Sequence, residues 1–164
     1  MKKYINITLV ITQISCSSYD FNVDTVTADQ LFKNIIEHNS SDYILINVWS
    51  TWCLPCVEEF PYIVNLEKQY DVKDLDVVFL STDWDENAFE VKQFLKEQNV
   101  VGQHYRKKDG DDENFINAIS QSWSGMLPFT GIYDKNLNLK VYWEGKRDEN
   151  FFKFKIDSLL LKKG

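Results

Sequence analysis

The chain is poor in the residues that staple or punctuate a fold: 164 residues include only three cysteines, three prolines, six glycines and two histidines. One close cysteine pair falls short of the two pairs that a structural zinc site usually draws on. His38 and His104 stand alone in the sequence, with no spacing that suggests a metal or a catalytic base. No repeat, low-complexity tract or Pro/Gly-rich linker divides the chain, so its length reads as one domain. Basic charge is also scarce: 18 Lys and Arg against 25 Asp and Glu give a net charge of −7. That balance argues against nucleic acid, whose phosphates reward clustered cations. What is plentiful is aromatic: Phe, Tyr and Trp make up 15% of the chain, which suits a sheet-containing core.

The first residues differ from the rest. "MKK" is a basic start, and "YINITLVITQIS" is an apolar stretch ending in small residues before Cys16. This is the layout of a secretory signal, and its core is shorter than the ~20 apolar residues a spanning helix needs. Residues 1–15 are therefore expected to be a signal peptide, and residues 16–164 one domain. Ser15-Cys16 followed by "SSYD" resembles a bacterial lipoprotein cleavage site, in which the cysteine carries the lipid. Gln13 departs from the Leu usual three residues before that cysteine. Cleavage there removes Lys2 and Lys3 and brings the charge to −9. The expected location is the cell envelope, with the mature protein facing outward and anchored at Cys16.

Beyond this segment the elements read in order. Thr27 and Gln30 form a capping-box pattern ahead of a helix with Leu31, Ile35 and Ile36 on one face. Tyr43–Trp49, "YILINVW", is a nearly continuous apolar run, the mark of a strand covered on both faces. Val57–Tyr70 follows as a helix with Phe60, Ile63, Val64 and Leu66 inward. Leu75–Leu80 is a second strand, and Glu86–Gln98 a helix with Ala88, Val91, Phe94 and Leu95 inward. A short helix over Asp112–Gln121, two strands at Phe129–Tyr133 and Leu139–Trp143, and a helix at Glu149–Leu161 complete the chain. The pattern predicts an α/β sandwich that opens with a parallel βαβ unit. The segment Gln103–Ser124 is longer than such a fold needs and reads either as a solvated loop with one short helix or as a shaper of partner choice.

Cys53 and Cys56 lie where the first long strand turns into its helix. By spacing alone the pair could hold a metal, staple the chain or exchange electrons. Free N–H groups and the positive end of the helix dipole favour a thiolate at Cys53. Pro55 falls within the first helical turn, where its missing N–H costs nothing. Cys56 is one turn further in, within reach of a mixed disulfide formed on Cys53. As an inert staple the pair is poor, because it closes a tiny loop.

"WCLPC" after a buried strand, Pro61 in the following helix and "GMLPFTGIYD" before the closing hairpin resemble the thioredoxin superfamily. "NVWSTWCLPCVEEFP" is similar to the membrane-anchored thiol-disulfide oxidoreductases of the TlpA/ResA type. The resemblance covers roughly residues 24–161 and implies a thioredoxin-like three-layer sandwich, a central mixed β-sheet flanked by helices. It implies that Cys53 attacks, that Cys56 resolves and that no cofactor is needed. Pro128 matches a cis-proline beside the cysteines, Leu127 the residue whose backbone pairs with an extended substrate, and Trp52 the exposed aromatic flanking the site, with plain core packing as the other reading of Trp52. The implied partners are disulfide-bearing or dithiol exported proteins, such as apocytochrome c, with an upstream electron donor. The reductant role is favoured, although nothing in Leu54-Pro55 sets the direction. An alternative is a thioredoxin-fold binding module or metallochaperone; the copper-delivering relatives use a wider CxxxC and a distant His, which this chain lacks. Where thioredoxins have a buried Asp, this chain has Asn47, which cannot titrate. Glu59 and Asp83 are the candidates to carry the proton of the inner cysteine, although a helical Glu is expected on the surface.

Overall fold

The computed structural model describes residues 22–163; the expected signal at 1–15 and Cys16 lie outside the described residues. A six-stranded sheet runs in the order β1 (Asp24–Val26), β4 (Gln103–Lys107), β3 (Leu75–Ser81), β2 (Tyr43–Trp49), β5 (Phe129–Asp134), β6 (Leu139–Glu144). The first four are mutually parallel, and β5 and β6 are antiparallel additions. The helices are α1 (Ala28–His38), α2 (Leu54–Gln69), α3 (Ala88–Glu97), α4 (Asp112–Ile119) and α5 (Glu149–Leu160). A 3-10 turn, Asp85–Asn87, leads into α3, and another, Leu161–Lys163, follows α5.

The central strand explains the layering. Side chains alternate across a strand, and β2 is apolar in both registers. Leu45 and Trp49 join a core with Phe60 and Ile63 of α2, Val91 of α3 and Phe152 of α5. Ile44, Ile46 and Val48 join a second core with Leu31 and Ile35 of α1 and Phe115 and Ile119 of α4. A strand buried on both faces needs helices on both, and each such side chain taken out of water contributes about 1.5–3 kcal/mol. The result is the expected three-layer α/β sandwich with a mixed central sheet.

Several expectations are corrected. Ile36 is 62% exposed, because α1 turns only its Leu31–Ile35 stripe inward. Ala88 is exposed at the first position of α3, whereas Val91 and Leu95 are buried and Phe94 packs against the same core, as expected. Gln103–Lys107 is a strand rather than loop: it fits between β3 and β1, and its polar side chains are satisfied at that position. Helix α2 begins three residues earlier than Val57, at Leu54, with Cys53 as its N-cap, and runs on through Pro61.

Candidate active site

The site is built at the C-terminal ends of the parallel strands, where β2 gives way to α2. Cys53 is the N-cap of α2: its carbonyl accepts from the N–H groups of Cys56 at 3.0 Å and Val57 at 3.1 Å. Its sulfur accepts from the Cys56 N–H at 3.3 Å. Cys53 and Cys56 are joined in a disulfide, S–S 2.06 Å and Cα–Cα 5.2 Å. Both sulfurs are shielded, but unequally: Cys53 is 7% exposed and Cys56 not at all. The outer sulfur borders a groove of about 600 Å³; the inner one faces the core. An approaching group therefore meets Cys53 first.

The loop before Cys53 is fixed from below. Asp83, fully buried just after β3, accepts from the Thr51 N–H at 2.9 Å, from the Thr51 hydroxyl, and from the Ser81 hydroxyl at 2.8 Å. Asp83 thus anchors the turn into α2. Trp52, on that turn, is 56% exposed and stacks on Trp84, with centroids 6.1 Å apart and an interplanar angle of 18°. Of the two readings of Trp52, the exposed one describes its place.

On the opposite side, the bond Leu127–Pro128 is cis. Leu127 lines the same groove as Trp52 and Cys53. The loop before it is tied down by Ser124, whose N–H and hydroxyl both donate to Glu144 at 2.6 Å, and by Trp123 Nε1, which donates to the Met126 carbonyl at 2.9 Å. The two cysteines, Trp52, Leu127 and Pro128 thus come from α2, the loop before it and the segment that leads into β5.

Glu59 overturns the surface expectation. It is 1% exposed, because it lies one turn beyond Cys56 on the inward face of α2. One carboxylate oxygen accepts from Asn47 Nδ2 at 3.2 Å, and the other from the Arg147 N–H at 3.0 Å. Asn47 also donates to the Thr130 hydroxyl at 3.0 Å, since the β2–β5 register sets these two residues opposite each other. Burial outweighs these donors and pushes the Glu59 carboxyl up to about 7. The neutral Asn47 therefore sits beside a buried acid that titrates near neutrality.

Sequence reasoning missed the far side of the groove: Trp84, Lys107, Phe115 and Trp123. The signal for Lys107, Phe115 and Trp123 was the unusual length of Gln103–Ser124; Trp84, on the connection after β3, had none. Among the described residues, no three His, Cys, Asp or Glu side chains converge as metal ligands.

With this geometry the comparisons agree. The Redoxin family profile matches residues 22–126. Thiol-disulfide oxidoreductase ResA of Bacillus cereus is 37% identical over 57 residues, 35% of this chain and 32% of that protein. Thiol-disulfide oxidoreductase ResA of Oceanobacillus iheyensis is 34% identical over 102 residues, 62% of this chain and 49% of that protein. The chain thus spans between a third and a half of the length of these curated relatives. Among solved structures, a thioredoxin-related protein from Neisseria meningitidis serogroup B superposes with a TM-score of 0.62 at 24% identity, covering 74% of this chain and 87% of that one. The chain belongs to the Redoxin family, as a thioredoxin-like protein of the ResA/TlpA kind.

Proposed function

We propose that the protein is a thiol-disulfide oxidoreductase that works through the Cys53–Cys56 couple. The observation that carries this reading is the disulfide at the start of α2, with one sulfur on a groove and the other buried. The relatives named thiol-disulfide oxidoreductase support it. In the reducing direction, the Cys53 thiolate attacks one sulfur of a partner disulfide, and the partner's other sulfur leaves as a thiolate. Cys56 then gives up its proton and attacks the Cys53 sulfur, which frees the partner's second sulfur and restores the Cys53–Cys56 bond. Two electrons pass to the partner, and the helix N-terminus stabilises the attacking thiolate.

Glu59 is our candidate to take the Cys56 proton. It is the buried acid one turn along the same helix, and a carboxyl titrating near 7 is poised between acceptor and donor at neutral pH. Leu127 and Trp52 are assigned to substrate contact, the first through its backbone as in strand addition, with Pro128 shaping that segment. The joined cysteines favour this reading over a metallochaperone one.

The finer parts of the proposal are the reducing direction, an upstream electron donor, exported disulfide-bearing protein substrates, a signal at residues 1–15, a domain from 16 to 164, and lipid on Cys16 in the envelope. Two measurements test them. Cys53→Ser is expected to abolish reduction of insulin disulfides, whereas Cys56→Ser accumulates mixed disulfides; faster alkylation of Cys56 than of Cys53 in the reduced protein reverses the two roles. Mass spectrometry of membrane fractions is expected to find an acylated N-terminal Cys16, and an intact Met1 on soluble protein refutes the anchor.

A further inference from the structure

The groove beside Cys53 is larger than a thiol needs. Its floor and walls are aromatic and aliphatic, from Trp52, Trp84, Phe115, Trp123 and Leu127, and its outer rim carries Asp109 and Asp112. Around the nearly hidden Cys53, three large apolar side chains stand open to solvent: Trp52 at 56%, Leu54 at 67% and Trp84 at 55% exposed. Apolar surface concentrated in this way beside a reactive atom marks a place where another molecule is received.

The charge around it is predominantly negative. The two loops at the rim carry six exposed carboxylates: Asp85, Glu86, Asp109, Asp111, Asp112 and Glu113. The local cations are largely withdrawn. Arg106 and Lys107 are buried and paired with Asp85 and Asp112, which leaves Lys108 as the exposed base of these loops. The loops are also knit together, since the Asp85 N–H donates to Asp109 at 3.2 Å. Gly110 at φ +97° and Asp111 at φ +38° then turn the chain sharply into α4, whose first turn carries Asp112 and Glu113 of these six. The acidic rim is thus held on ordered backbone beside an apolar floor.

We propose that this groove selects an extended cysteine-bearing protein segment that is both apolar and basic. A bulky apolar side chain next to the partner's cysteine lies against Trp52 and Trp84, and a nearby Lys or Arg faces the Asp109–Glu113 rim. The apolar contact contributes residence time, and the rim speeds encounter with basic segments and disfavours acidic ones. This inference rests on the disulfide-exchange reading and names the substrate class for the same site. It also assigns a task to the long segment between β4 and β5.

The test uses the reduced full-length protein and four short peptides, each with its single cysteine held as a mixed disulfide with thionitrobenzoate. The residue beside the cysteine is Phe or Ser, and two further positions are both Lys or both Glu. Cys53 attacks the peptide sulfur, coloured thionitrobenzoate leaves as a thiolate, and Cys56 then releases the peptide thiol. Dividing each rate by that of dithiothreitol with the same peptide removes intrinsic reactivity. The Phe/Lys peptide is expected to react about tenfold faster than the Ser/Glu peptide at low salt, and the Lys advantage shrinks at high salt. Trp84→Ala is expected to lower the Phe-to-Ser ratio, and Asp109→Asn combined with Glu113→Gln the Lys-to-Glu ratio; ratios are insensitive to a general loss of active protein. Equal normalised rates for all four peptides overturn the groove proposal while leaving the exchange reading intact. A reduced protein that reacts with neither the peptides nor free dithionitrobenzoate refutes the exchange reading itself, and the groove proposal falls with it.

Discussion

At Glu59 a carboxyl group has lost almost all contact with water and keeps two donors, the Asn47 amide and the Arg147 N–H. Its folded pKa of about 7 lies above the ordinary 4.5. Between those values the folded state holds a proton that the unfolded state has released, so stability falls as pH rises through this window. The loss is complete above the folded value and comes to about 3 kcal/mol. Glu59→Gln removes the titration while leaving an oxygen to accept from Arg147. Urea unfolding at the two ends of the window is therefore expected to show the wild type losing about 2–3 kcal/mol more than the variant. Glu67, buried and likewise pushed up to about 7, titrates in both proteins and cancels from that difference. Parallel pH profiles would place the titration elsewhere. If Glu59 accepts the Cys56 proton, the same variant also slows release of the mixed disulfide more than its formation. The residue type was legible from the sequence, but its burial was not: a Glu in a helix is usually solvated, and only the packing of α2 on β2 and on the chain before α5 turns this one inward.

Whole elements were easier to read than single side chains. The run Tyr43–Trp49 has the bounds expected of β2, and the Thr27–Gln30 capping box is formed in both directions at the start of α1. These signals are local, so they survive without knowledge of the fold. Strands β1 and β4 were missed because they are short and polar, and their pairing depends on partners some 80 residues apart, such as Asp24 with Tyr105. The connection between β3 and α3 shows the same limit. Asp83 holds the turn before Cys53 through Thr51 and Ser81, a role visible only once β2 and β3 lie side by side. Asp83→Ala leaves the Thr51 N–H and two hydroxyls without their buried acceptor. Destabilisation of about 2–4 kcal/mol is expected from denaturant titration, with Asp83→Asn, which keeps one acceptor oxygen, closer to wild type. A loss below about 0.5 kcal/mol for the alanine variant, the range of an ordinary surface change, would mean that the turn is held by other contacts.

Across the whole molecule, the sheet is clamped between two cores, both rich in aromatic side chains. In the one beneath the active site, Phe60 meets Trp49 at 4.7 Å, Phe79 at 4.5 Å and Phe94 at 4.9 Å between centroids. These rings tie α2, and with it both cysteines, to β2, β3 and α3. Phe60→Ala is expected to cost about 3–5 kcal/mol and to lower the melting temperature by about 10 °C; a shift of a degree or two would show that the cluster collapses into the space. The sequence by itself determined the α/β class, the parallel βαβ opening, and a close cysteine pair at a helix start. Each follows from periodicity, capping and spacing within a few tens of residues. Only the tertiary structure decided that Glu59 is buried, that Asp83 is an anchor for the turn before Cys53, and that β4 and α4 complete a groove with Trp84 at the outer cysteine. Those outcomes depend on which surfaces meet across the sheet, because burial and desolvation are properties of the assembled neighbourhood and not of the residues that enter it.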